Sequence, residues 1–279
     1  DINTKTFRQI DPSNPQLRSV FYLIKDSNGN VWASTFGGGI SKIDINTEQV
    51  RSYLHDPSNP LSLSSDITPC IMADSDGNIW VGTQDSGVNL LTKENIDDGI
   101  FRRFGLSGND SLMLQSKLIN HIFEDSKKNI WIATSGGLTR FEMSKKASKT
   151  FDATNGLATD QIKSIIEDKH GFLWIGTTKG ISKYDPANET FINYDKSDGL
   201  QDGEFSRYGV YETRRGEMLF GGTNGFNTFI PDSIEQSNYV PPVFITGLRI
   251  FNKPVSVGDE DSILPKHIMQ LDEITMPHD

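Results

Sequence analysis

One ten-residue stretch, DSDGNIWVGT at residues 74–83, occurs in five versions along the chain, and this repetition constrains the fold more than any other feature. Aligned on it, the sequence gives DSNGNVWASTFGGGISKID (26–44), DSDGNIWVGTQDSGVNLLT (74–92) and DSKKNIWIATSGGLTRFE (125–142). It then gives DKHGFLWIGTTKGISKYD (168–185) and TRRGEMLFGGTNGFNTFI (213–230). Trp32, Trp80, Trp131 and Trp174 lie 48, 51 and 43 residues apart, and Leu219 takes the equivalent place 45 residues later. Each copy reads as four short strands, as in QIKSIIED (161–168), FLWIGT (172–177), GISKYD (180–185) and TFINYD (190–195). Alternating apolar and polar residues bounded by Gly, Asn and Asp clusters are the signature of strands and hairpins. A four-strand unit at this period is one blade of a β-propeller. A β-helix needs far shorter coils, and helical repeats need a 3.6-residue periodicity that is absent.

The residue two places after the tryptophan is small in every copy: Ser34, Gly82, Ala133, Gly176 and Gly221. A small side chain there lets a neighbouring strand or blade approach closely. The tryptophan then buries its face between blades, where its N–H can reach a loop carbonyl. Trp32, Trp80, Trp131, Trp174, Gly82, Gly176 and Gly221 are therefore read as blade-packing residues.

The turn before each tryptophan raises a rival reading, because Asp74, Asp76 and Asn78 alternate as calcium ligands do. A calcium loop also needs a bidentate Glu at its twelfth position, which here is Asp85. In the other copies the liganding positions become Lys127, Lys128, His170, Phe172, Arg214 and Arg215. What persists in most copies is Gly29, Gly77, Gly171 and Gly216, where a tight hairpin needs positive φ. The turn is structural, and no metal site is expected.

Composition agrees with a turn-rich β protein: 35% of the 279 residues are hydrophobic, with 25 Gly and 12 Pro. The net charge of −10 disfavours a nucleic-acid backbone or an anionic membrane as partner. Cys70 is the lone cysteine, so neither an intrachain disulfide nor a multi-cysteine metal site can form. No cofactor is implied. There is no run of 18 apolar residues and no signal-peptide pattern, and the chain reads as a segment of something longer.

The motif D-x-x-G-N-I-W-I-G-T-x-x-G-L-x-x-F/Y-D resembles the regulator-propeller repeat of hybrid two-component sensor histidine kinases. The fifth copy, within residues 198–234, is similar to the divergent last blade of that family. VPPVFITGLRIFNKPVSVGDEDSIL (240–264) resembles the opening of the triple-tyrosine, immunoglobulin-like β-sandwich that follows. The resemblance implies an all-β chain, with propeller blades over residues 1–236 and the incomplete start of the sandwich over 237–279. It also implies propellers of about seven blades, a periplasmic location, a homodimeric parent ectodomain, an oligosaccharide ligand, and a membrane helix and kinase outside this chain. Five motifs leave two arrangements open. The blades belong to a larger ring, the arrangement the family favours, or NTKTFRQI (3–10) completes the fifth blade and closes a five-bladed ring.

No catalytic constellation stands out. His55, His121, His170, His267 and His278 are scattered without metal-ligand spacing, and His170 reads as a solvated turn residue. Binding is better supported, because loops joining strands two to three and strand four to the next blade share one face of such a fold. These loops vary where the framework repeats. They include Phe36, Gln84, Asp85, Ser135, Thr178, Lys179 and Asn224, and the segments 55–66, 105–118, 154–161 and 198–208. Phe36, Arg207 and Tyr208 are candidates to stack on or hydrogen-bond a sugar, with Asp85, Asp160, Gln161 and Asn224 as polar partners. A propeller lyase or hydrolase is the alternative. It would need a His or Tyr with an acidic or metal partner at the channel mouth. A purely structural dimerisation segment is the third reading.

Overall fold

The computed structural model describes residues 9–11, 14–105, 112–234, 246–250, 252–258, 264, 266–271 and 273–274. Residues 3–8 of the N-terminal strand candidate therefore lie outside the described residues. Four blades have four antiparallel strands in simple sequence order. Blade 1 is β1 (Val20–Lys25), β2 (Val31–Thr35), β3 (Ile40–Ile43) and β4 (Val50–Tyr53). Blade 2 is β5 (Cys70–Ala73), β6 (Ile79–Gly82), β7 (Val88–Leu91) and β8 (Phe101–Phe104). Blade 3 is β9 (Ile119–Glu124), β10 (Ile130–Thr134), β11 (Gly137–Glu142) and β12 (Ala147–Phe151). Blade 4 is β13 (Ile162–Glu167), β14 (Leu173–Thr177), β15 (Gly180–Asp185) and β16 (Thr190–Tyr194). Blade 5 shows three strands among the described residues: β17 (Phe205–Glu212), β18 (Met218–Gly222) and β19 (Gly225–Phe229). Among the described residues the helical content is confined to three-residue 3-10 turns.

The repeated turn is built around its first aspartate. In blade 2 one Asp74 oxygen accepts the Asp76 and Asn78 backbone N–H groups, and the other accepts Asn78 Nδ2 and Trp80 Nε1 at 2.9 Å. Asp26, Asp125 and Asp168 receive Trp32, Trp131 and Trp174 in the same way, at 2.9, 2.7 and 2.8 Å. The tryptophan N–H thus goes to a carboxylate, not to the loop carbonyl that the sequence allowed. A buried indole donor gains more from an ionised acceptor than from a neutral one. Burial alone would raise the Asp26 carboxyl, but hydrogen bonds from Asn30 and Trp32 outweigh it and hold the group below the usual carboxylate range. In blade 5, Thr213 Oγ1 takes over the backbone contacts, to Arg215 and Glu217, and Leu219 needs no partner.

Glycines 29, 77, 171 and 216 sit at φ between +76 and +90°, and Lys128 fills the equivalent place in blade 3 at +64°. A lysine there carries a backbone cost that glycine does not. Lys128→Gly is expected to raise the urea midpoint slightly, because relief of the positive φ outweighs loss of the exposed Lys128–Asp76 ion pair.

Between blades the tryptophans form the cores. Trp32 joins Ile71, Ile79 and Val81 between blades 1 and 2, and Trp80 joins Ile122, Ile130 and Ile132 between blades 2 and 3. Trp131 packs with Ile165, Leu173 and Ile175, and Trp174 with Met218 and Phe220. All four indoles are at most 1% exposed. The small residue after each serves this approach. A Cβ on Gly82 would lie 2.1 Å from Cys70 Sγ and 2.5 Å from Ile119 Cγ2, and one on Gly176 would lie 2.5 Å from Ser164 Oγ. Gly221 has room, its nearest neighbour being 3.6 Å away.

Those four cores join five blades in succession. Among the described residues no such core joins blade 5 to blade 1. Phe226 is 68% exposed, whereas Ile40, Val88, Leu138 and Ile181, which pair with the equivalent strand positions, are buried. Tyr211 on blade 5 and Phe21 and Leu23 on blade 1 are exposed as well.

The chain divides into two compact units, residues 1–234 and 235–279. The described part of the second contains the short hairpin β20 (Arg249–Ile250) and β21 (Lys253–Pro254) and a 3-10 turn, Ile268–Gln270.

Candidate functional site

The rim of the propeller is assembled by threonine. Thr35, Thr134 and Thr177 end the second strands of their blades and Thr83 directly follows β6, and their hydroxyls donate to the carbonyls of Gly39, Gly137, Gly180 and Gly87. The same oxygens accept N–H groups from Gly38, Ser86, Gly136 and Lys179, which fixes each loop between strands two and three. Those loops then bond to the connections between blades. Gly37 and Gly39 donate to Asp66 O, Gly87 to Lys117 O, and Thr178 to Gln161 O. The two loop sets therefore share one face. These threonines were visible in the W-x-G-T motif, although their part in building the rim was not drawn from it.

The seven sequence-selected residues all lie on this side of the blades, but no hydrogen bond or ion pair joins any two of them among the described residues. Phe36 is 58% exposed, bridges to Ile67 and meets Phe21 edge-on at 5.8 Å. Asp85 is exposed and accepts from Ser86 Oγ. Asp160 accepts the Ala153 N–H and so closes its own loop, while the Gln161 carbonyl accepts Thr178 N–H. Asn224 is tied to Gln201 and Asp202. Arg207 is exposed, with no ion-pair partner among the described residues, and close enough to Cys70 to act on it electrostatically. His170, read as a solvated turn residue, is exposed and also meets Asp232 of the next blade, Nε2 to Oδ1 at 2.9 Å. His55 is held within its connection by Leu63 O and Asp66.

Tyr208 behaves differently. Its ring stacks on Tyr22 of blade 1 at 4.4 Å and 23°, and meets His121 of blade 3 edge-on at 5.0 Å and 86°. One residue of blade 5 thus touches two blades that are not its sequence neighbours on the preceding side. His121 Nδ1 accepts the Ile165 N–H of blade 4 at 3.0 Å, so the neutral ring carries its proton on Nε2. Desolvation pushes the His121 pKa down to about 4. A histidine kept neutral by the fold contributes stability that is fully present above its unfolded pKa near 6.5 and is lost as pH falls towards 4. The loss amounts to about 3 kcal/mol at most, and His121→Asn, which keeps an acceptor for Ile165, is expected to flatten that slope in thermal melts.

The described partners of His121 and Tyr208 include no carboxylate, and no group of three His, Cys, Asp or Glu residues among the described residues could hold a metal ion. An apolar cleft of about 140 Å³ between blades 4 and 5 is lined by Trp174, Tyr194, Leu200 and Phe229, the last on β19, the outermost strand of blade 5 among the described residues. No helix among the described residues is long and apolar enough to cross a membrane.

Successive four-stranded sheets packed through indole cores, with hydrogen-bonded loops gathered on one face, define a β-propeller. Residues 62–85, 113–136 and 156–179 match the two-component regulator propeller family. Three of the five repeats thus match the family that the repeat motif resembles. It is 30% identical over 315 residues to the histidine kinase P4 of Formosa agariphila, covering 96% of this chain and 20% of that protein. The extracellular domain of a hybrid two-component system of B. thetaiotaomicron matches with 26% identity and a TM-score of 0.62, over 86% of this chain and 39% of that one. Virginiamycin B lyase of Staphylococcus aureus shares the fold, with 15% identity and a TM-score of 0.54 over 78% of this chain and 71% of its own. The chain thus spans about a fifth of the curated relative it matches.

Proposed function

We propose that these residues are an extracytoplasmic sensing segment of a hybrid two-component sensor histidine kinase. The segment recognises an oligosaccharide on its rim and signals across the membrane to genes of polysaccharide use. The observation that carries this reading is the regulator-propeller match combined with 26% identity to an extracellular domain of a hybrid two-component system. The rim supports it physically, because aromatic and polar side chains stand on rigid, hydrogen-bonded loops, as a binding face requires. The exposed faces of blades 1 and 5 receive further blades in the intact protein, which is periplasmic and dimeric in this reading. Ligand must favour one arrangement of the dimer over another, since equal affinity for both would shift nothing.

The test is a double substitution, Phe36→Ala with Arg207→Ala, in the intact sensor. The expected result is about a tenfold rise in the glycan concentration needed for half-maximal signalling, with the maximal response retained. An unchanged dose response would leave this segment a structural spacer and place the ligand elsewhere.

A further inference from the structure

The innermost strand of blade 5 departs from those of the other blades. In blade 1 two residues, Phe21 and Tyr22, stand against Ser34 between the register pairs Val20–Thr35 and Leu23–Ala33. In blade 5 four residues, 206–209, stand against Gly221 between Phe205–Gly222 and Val210–Phe220. The longer bulge carries Tyr208 away from its own blade. It does so at φ +55°, a left-handed conformation that a bulky side chain rarely adopts. The Tyr208 hydroxyl is buried and has no hydrogen-bond partner. The Ser34 hydroxyl, on the residue paired with Tyr22, is likewise buried and unpartnered. His121 spends Nδ1 on Ile165, and its Nε2–H donor has no hydrogen-bond partner among the described residues.

A strained backbone and a buried, unsatisfied hydroxyl both disfavour this placement of Tyr208. What holds it is aromatic contact with Tyr22 and His121 and packing against the core between blades 2 and 3. A ring of similar size with an apolar face to stack on Tyr22 and hydroxyls on its edge would make the same contacts and bring partners for His121 and Ser34. We propose that the centre of the propeller is a pocket for a pyranose ring, filled in this structure by the chain's own Tyr208, which ligand displaces. The sugar's C–H face takes the place of the Tyr208 ring on Tyr22, His121 Nε2–H donates to a ring hydroxyl, and Arg207 on the freed bulge reaches the outer hydroxyls. Displacement of the bulge would release one link between blades 5, 1 and 3, a local change of the two-state kind a sensor requires. The proposal rests on the reading of this chain as a glycan sensor.

Tyr208→Gly tests it in the intact protein, because glycine suits the positive φ and leaves the pocket open. The probes are p-cresol, which is the deleted side chain as a free molecule, and the panel of glycans offered to the wild type. Expected are a rise in melting temperature of Tyr208→Gly with p-cresol, none for the wild type, and glycan affinity about tenfold tighter in the variant. No response of the variant to p-cresol would overturn the pocket. Glycan affinity equal to or weaker than that of the wild type would overturn the plug and make Tyr208 an ordinary ligand contact. A response to p-cresol with no glycan bound by either protein would overturn the pyranose assignment, and with it glycan sensing at this centre, while the pocket itself would stand. Tyr208→Phe separates the hydroxyl from the ring. It should raise the melting temperature by removing the unsatisfied group, and a fall would show that the hydroxyl has a partner and count against a poorly held plug.

Discussion

Replacing Asp74 with alanine is expected to destabilise the protein by about 3 kcal/mol in urea unfolding. The carboxylate accepts four hydrogen bonds, and its loss leaves the Trp80 indole N–H without an acceptor inside the core between blades 2 and 3. Asp74→Asn should cost nearly as much. Its amide would aim a second N–H group at Trp80 Nε1 and Asn78 Nδ2, or would leave the two backbone donors unmatched if it turned round. Calcium should leave the melting temperature of the wild type unchanged, because the oxygens that looked like ligands are already committed to donors of the turn itself. A loss below about 1 kcal/mol in Asp74→Ala would show that the aspartate only decorates the bend.

The second large effect is expected at Gly82. Its Cβ would overlap both Cys70 Sγ and Ile119 Cγ2, and Ile119 lies on the next blade, so relief requires one blade to move. Gly82→Ala should cost about 3 kcal/mol, as overpacking of a filled core does. Gly221→Ala is the internal control. It stands at the same place in the repeat, yet its nearest neighbour is 3.6 Å from the added carbon, so stability should change by less than about 0.5 kcal/mol. Equal effects at the two glycines, measured as denaturation midpoints, would contradict the assignment of Gly82 to blade packing.

Much of this was legible in the sequence, because a repeat displays its own framework. The tryptophan period of 43 to 51 residues marked the blades, and the small residue two places on marked where they touch. The aspartate six residues before each tryptophan was visible too. It was grouped with positions that vary, although only its carboxylate reaches the indole. The centre was less legible for a physical reason. Contacts among Tyr22, His121 and Tyr208 join strands far apart in sequence, and no period relates three residue types that differ in every blade. The lengthened bulge at 206–209 was masked by aligning the copies on their second strands, where blade 5 has no insertion. Tyr208 was selected with its loop, but Tyr22 was not, because it sits inside a strand. Asp160 and Asn224 have a second role that the sequence did not display. Selected as polar partners for a ligand, these two also hold their own connections together.

As proposed above, these blades belong to a glycan-sensing ectodomain. Titration calorimetry of that complete ectodomain against plant, fungal and host oligosaccharides tests it most directly. Saturable heat is expected with at least one of them, and weaker binding to that sugar when Phe36 and Arg207 are both alanine. The absence of heat with every sugar, from protein shown by its melting curve to be folded, would contradict it.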